Sequence, residues 1–100
     1  DSQAETYAAR CMILDAARRR DAGEDVTMLA SCTKLFATEA CGRVADRAVQ
    51  VFGGAGYVTD YGIERFYRDV RIFRLYEGTT QIQQIIIARE LARAAKAGKL

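Results

Sequence analysis

The chain has 100 residues, half of them hydrophobic, and its 15 Lys and Arg against 13 Asp and Glu leave a net charge of +2. That length is one small domain or a piece of a larger protein, and so small a chain buries only a modest share of its surface unless a partner surface helps. The charge gives no electrostatic case for a nucleic-acid or anionic-membrane partner, and no apolar run approaches the roughly 20 residues of a membrane span.

Histidine is absent, which excludes Ser-His-Asp and Cys-His catalysis within this chain and removes the commonest transition-metal ligand. Cys11, Cys32 and Cys41 are odd in number and lack C-x-x-C spacing, so a disulfide framework or zinc site is not expected and a reducing compartment fits. Asp1-Ser2-Gln3-Ala4-Glu5 does not read as the start of a secretory signal. Proline is also absent, and the recurring Ala, Arg, Leu, Ile and Gln favour helix.

Residues 2 to 22 read as a helix, with Ala4, Tyr7, Cys11 and Leu14 as its apolar stripe, widened by Ala8 and Met12. Asp1 or Ser2 can cap it, while the abrupt start also fits the interior of a longer helix. Arg18-Arg19-Arg20 closes it, favourable with the helix dipole; a phosphate patch is the sharper, less favoured reading. Gly23 suits the left-handed position after a helix, and Asp25 or Thr27 can cap the next one.

Residues 27 to 53 carry the longest helical pattern, with a stripe of Leu29, Cys32, Phe36, Ala40, Val44, Ala48 and Val51. Ala37, Ala40, Cys41, Gly42, Ala45 and Ala48 permit close helix packing. The pattern ends at Gly53-Gly54-Ala55-Gly56. A preceding helix and a missing third glycine exclude the dinucleotide fingerprint, so the local reading favours a helix C-cap over a ligand loop.

A shorter helix is expected from about Gly62 to Phe73, capped by Thr59 or Asp60, with Ile63, Phe66, Tyr67, Val70 and Phe73 on its apolar face. Arg65, Arg68, Arg71 and Arg74 recur every three residues; pairing with Glu64, Asp69 and Glu77 is favoured over a phosphate grip. The last helix begins at Thr79 or Thr80, where Thr80 and Gln83 have capping-box spacing. Its stripe is Ile82, Ile85, Ala88, Ala92 and Ala95. Ile86, Ile87 and Leu91 carry apolar surface round to other faces, which favours self-association.

Between the last two helical patterns lies Leu75-Tyr76-Glu77-Gly78-Thr79-Thr80-Gln81-Ile82. Its one carboxylate, Glu77, sits on a short break, where neighbours can fix it while it still reaches a ligand. It is the leading candidate for a catalytic base. On the residues alone, a surface carboxylate near a helix start remains the plainer account.

Gln50-Val51-Phe52-Gly53-Gly54-Ala55-Gly56-Tyr57, Arg68-Asp69 and Tyr76-Glu77-Gly78-Thr79-Thr80-Gln81-Ile82-Gln83, at these separations, resemble the C-terminal helical domain of acyl-CoA dehydrogenases. The likeness spans nearly the whole chain and is strongest from about Lys34 to Leu91. It implies an all-α, up-down bundle of about four helices filling residues 1 to 100, without the N-terminal helical and β-domains of the family. It also implies an oxidoreductase that uses FAD to convert an acyl-CoA to the 2-enoyl-CoA, as in fatty-acid β-oxidation. The expected electron acceptor is electron-transferring flavoprotein, and the expected assembly is a homodimer or homotetramer. The compartment would be the cytoplasm of a bacterium or the mitochondrial matrix of a eukaryote.

By resemblance, Glu77 removes the pro-R α-proton as the β-hydrogen leaves as hydride to the flavin. Gly78 and Tyr76 meet the substrate. Gln50, Val51, Phe52, Gly53 and Gly54 contact the adenine side of an FAD held by a neighbouring subunit, and Thr79, Thr80 and Gln81 contact FAD at the start of the last helix. Physical chemistry is compatible: burial beside Tyr76 and an acyl chain would strengthen the carboxylate as a base. Free N–H groups at residues 79 to 81 would favour a diphosphate. Family members are several times longer, so a 100-residue piece is expected neither to hold FAD tightly nor to turn over alone. The competing readings are a helical interaction module that lost the chemistry and, on the arginines alone, a nucleic-acid binder.

Overall fold

The computed structural model describes residues 1–100. The chain is all helical: α1 spans Ser2–Asp21, α2 Thr27–Phe52, the single-turn α3 Gly54–Tyr57, α4 Ile63–Val70 and α5 Thr80–Lys96, with 3-10 turns at Thr59–Tyr61 and Arg71–Arg74. The expected third helix is therefore shorter than its pattern. Gly62 stands before it with φ 78° and Thr59 and Asp60 belong to the preceding turn, so neither caps it. Past Val70 the chain tightens to 3-10 geometry.

Helix α2 is the spine, and α1, α4 and α5 each pack on it. Arg47, late in α2, reaches Ser2 and Glu5 at the start of α1, so the two run antiparallel. They are joined by a turn in which Gly23 takes φ 83°. Asp25 accepts from the backbone N–H of Thr27 at 3.0 Å and from its hydroxyl at 2.6 Å, which satisfies one free amide at the start of α2. These bonds hold the Asp25 carboxyl below the usual carboxylate range.

The α2 stripe turns inward as expected from Leu29 to Ala48, with Val51 outside, whereas on α1, α4 and α5 the inward face departs in part from the apolar stripe. On α1 the side toward α2 carries Glu5, Ala8, Ala9, Met12 and Ala16, whereas Tyr7, Cys11 and Leu14 are exposed, Tyr7 by 67%. The rotation follows Glu5, whose carboxylate accepts from Arg43 at 3.1 Å and from Arg47 at 3.1 and 3.2 Å. On α5 the buried residues are Thr80 and Gln83 rather than Ile82, and Ile85 is 61% exposed. On α4, Ile63 and Val70 are half-buried while Phe66 and Tyr67 are exposed.

The buried apolar residues are Ala40 and Ala45 on α2, and Gly42 between them is also buried. These small residues let the neighbouring segments approach closely. A Cβ on Gly42 would lie 3.1 Å from the Arg74 guanidinium, which crosses α2 there. The dimensions are 54 × 24 × 21 Å and the radius of gyration is 16.6 Å, longer than the roughly 13 Å of a rounded domain of this size. Large apolar side chains including Val51, Phe66 and Ile85 face outward. No helix is long and apolar enough to cross a membrane.

Candidate active site

The break between α4 and α5 is a sequence of backbone reversals. The 3-10 turn ends with the N–H groups of Leu75 and Tyr76 both donating to Ile72 O, at 2.9 and 3.1 Å. Glu77 then takes φ 53°, as no other non-glycine residue in the chain does, and Gly78 takes φ 91°. Helix α5 restarts on Thr79, whose hydroxyl accepts from the N–H of Ile82 at 3.2 Å. Thr79 is thus the cap and the Thr80–Gln83 capping box does not form. A side chain in the left-handed region is strained, and it persists where the surroundings fix it.

The surroundings here are side chains of α2. The Lys34 ammonium donates to Phe73 O at 2.8 Å and to Gly78 O at 2.7 Å, gripping the chain on both sides of Glu77. Glu39, further along α2, accepts from the Thr80 hydroxyl at 2.7 Å and from Arg74 at 3.4 Å. The Thr80 bond, followed by the charge of Arg74, holds the Glu39 carboxyl below its ordinary value even though partial burial pushes the other way. From within α5, the buried Gln83 amide approaches Glu77 O and Gly78 O at 3.4 and 3.5 Å.

Arg74 therefore pairs with Glu39 and not with Glu77. Of the other arginines in that series, Arg65 lies 3.6 Å from Asp69 and Arg68 pairs with Glu64. The Glu77 side chain is exposed and engaged in no ion pair or hydrogen bond within the chain. Tyr76 beside it is half-exposed and stacks on Phe73, with centroids 5.9 Å apart and planes at 26°. A fixed backbone thus presents an unneutralised carboxylate next to an aromatic surface, a combination suited to taking a proton from a bound ligand.

The remaining predicted residues fall into two places. Thr79, Thr80 and Gln81 adjoin Glu77 at the start of α5. The Thr79 and Thr80 hydroxyls are occupied by Ile82 N–H and Glu39. The backbone N–H groups of Thr80 and Gln81, which an α-helix leaves without intrahelical acceptors, point toward any anion placed at that end. Gln50, Val51, Phe52, Gly53 and Gly54 lie at the far end of α2, about 16 Å along the helix from Glu39. The structure does not bring them to the Glu77 break. Val51 is 85% exposed, and a Cβ on Gly53 or Gly54 would meet nothing within 4 Å, so this end offers open backbone to a separate molecule.

Lys34 and Glu39 escaped the sequence reading. The signal was there: two charged residues set among the small and apolar side chains of α2, where a charge is retained only with a partner.

Residues 1–92 match the profile of the acyl-CoA dehydrogenase C-terminal domain. The chain belongs to that family. It is 45% identical over 95 residues to a cyclohexane-1-carbonyl-CoA dehydrogenase of Geobacter metallireducens, covering 95% of this chain and 25% of that one. It is 40% identical over 93 residues to the CarC subunit of the caffeyl-CoA reductase-Etf complex of Acetobacterium woodii, covering 93% and 24%. The solved FAD complex of PigA superposes with a TM-score of 0.86 at 30% identity, covering 90% of this chain and 24% of that one. The chain thus spans about a quarter of the length of the relatives it matches. The all-α C-terminal fold of acyl-CoA dehydrogenases, expected from its motifs, is the fold it has.

Proposed function

We propose that residues 1 to 100 are the C-terminal helical domain of a longer FAD-dependent acyl-CoA dehydrogenase, and that Glu77 is its α-proton base. The observation that carries the reading is the Glu77 break itself: a carboxylate at φ 53°, engaged in no ion pair, on a backbone clamped by α2.

The chemistry asked of this chain is proton removal. The α-hydrogen of a thioester is a weak acid, and a carboxylate neutralised by an arginine is a poorer acceptor for it. Pairing Arg74 with Glu39 leaves Glu77 unneutralised. Gly78 and Tyr76 would border the thioester. Glu77 would take the α-proton, the Cα–H electron pair would form the π bond of the new Cα=Cβ double bond, and the β-hydrogen would depart with its own pair. FAD, when bound, supplies the acceptor for that hydride. The free amides at Thr80 and Gln81 suit its diphosphate, and the open backbone at Gly53 and Gly54 with Gln50, Val51 and Phe52 suits an FAD held by a second subunit.

Outward-facing Val51, Phe66 and Ile85 support burial against the rest of the protein and against other copies in a dimer or tetramer. The isolated chain is then expected to retain no FAD through gel filtration. Electron-transferring flavoprotein is the proposed acceptor, supported by the Etf complex named for the A. woodii relative. That relative is a reductase, and the same carboxylate, once protonated, would return the proton to Cα if the reaction runs that way. CoA thioesters and such an acceptor suit a bacterial cytoplasm or a mitochondrial matrix. The clamped, unpaired carboxylate is what favours this reading over a non-catalytic bundle.

The test is the visible spectrum of the full-length protein before and after adding a panel of acyl-CoAs. A flavin band that one of them bleaches is the expected result. A colourless protein that FAD cannot restore would overturn the assignment.

A further inference from the structure

We infer that Lys34 is a positioning residue for the Glu77 carboxylate: its ammonium, bonded to Phe73 O and Gly78 O, fixes the length and twist of the break from which Glu77 projects. The inference rests on the reading of Glu77 as the base.

The two acceptors bracket Arg74, Leu75, Tyr76 and Glu77. Their carbonyls lie 2.8 and 2.7 Å from the same nitrogen, although Lys34 is 39 and 44 residues away in sequence. An ammonium has three donors and can serve two carbonyls at once, and such charge-assisted bonds are stronger than neutral ones. Other ties to the break are weaker or sit at its edge. The Gln83 amide stands 3.4 and 3.5 Å from its acceptors, and the Glu39–Thr80 bond begins where α5 begins. The strained φ of Glu77 needs continuous restraint, because relaxation toward an ordinary φ would swing the carboxylate. Proton transfer tolerates little such movement. Lys34 meets backbone only, so it acts through the position of Glu77 and not on the substrate.

The test uses the full-length flavoprotein with Lys34→Met, which keeps the stem and removes the donors. Glu77→Gln and wild type are the controls. Flavin content, kcat, KM and the exchange of the substrate α-hydrogen with D2O are read on each. For Lys34→Met, kcat and α-hydrogen exchange are expected to fall together by about 10²-fold, with stoichiometric flavin and KM within about threefold of wild type. A loss of less than about tenfold in either rate, or a change confined to KM, would overturn the inference. If Lys34→Met does not accumulate as flavoprotein, Lys34→Gln replaces it under the same criteria, since its amide keeps donors without the reach or the charge. Glu77→Gln separates the two claims. If that variant dehydrogenates at the normal rate, the assignment of the base has failed. If it is inactive while Lys34→Met is not, only the role of Lys34 has failed.

Discussion

A Cβ placed on Gly78 would stand 2.6 Å from Nε2 of the buried Gln83, and Gly78 itself has φ 91°. The residue after Glu77 is thus held to glycine twice, by backbone sign and by the side chain one turn into α5. Gly78→Ala is expected to destabilise the fold by about 1–3 kcal/mol. Adding Gln83→Ala should return only part of that, since the contact is relieved and the φ is not. Denaturant midpoints of the single and double variants check this; full recovery in the double variant would mean that the backbone carries no strain.

The Glu39–Thr80 bond gives stability a pH dependence of known sign. The folded carboxyl is held below its ordinary value of 4.5, first by Thr80 and then by Arg74. Its contribution is therefore full above the unfolded value and is lost as pH falls through the lowered folded value. Thr80→Val is expected to cost about 1.5–3 kcal/mol at pH 7. The gap from wild type should narrow as pH drops below 4.5. Urea unfolding from pH 3 to 7 reads it, and a gap independent of pH would remove Glu39 from the account.

Glu77→Gln in the full-length protein is expected to abolish turnover and leave FAD in place. The substitution removes the proton acceptor and touches no contact that the fold uses, because Glu77 is unpaired. Loss of activity should be at least about 10²-fold. Near-normal turnover would place the base elsewhere.

The glycine pair at the end of α2 separates cofactor binding from folding. Gly53 has φ 62°, so any side chain there strains the backbone, whereas Gly54 starts α3 with open space around it. Gly54→Val is therefore the cleaner probe: an unchanged melting temperature with reduced flavin retention is expected. Unchanged flavin content would remove this loop from the cofactor site.

Glu5 gives a fifth handle, on the docking of α1. Its carboxyl is held below the ordinary range, chiefly by the Arg47 hydrogen bond and then by Arg43. Glu5→Gln should speed amide exchange at Ala8 to Met12 on α1, with a smaller difference at high salt because screening already weakens the wild-type pairs.

The amino-acid pattern alone determined that this chain is helical, where its long helices run, and that Glu77 lies on a break. Those are local matters: the apolar period, Gly23 and Gly53 at helix ends, and Thr79 before an apolar run all act within a turn or two. The Glu77, Gly78 and Thr79 neighbourhood was legible for the same reason, as was its family likeness. The rotation of α1 and of α5 was decided only in three dimensions. A period shows that a helix has faces; it does not show which face meets a neighbour when polar groups on the other helix bid for it. Glu5 against Arg43 and Arg47 turned α1, and Thr80 against Glu39 turned α5, leaving Tyr7 and Ile85 outside. Tertiary structure alone also brought Lys34 to Gly78, because an ammonium that satisfies two distant carbonyls leaves no mark in the spacing of either segment.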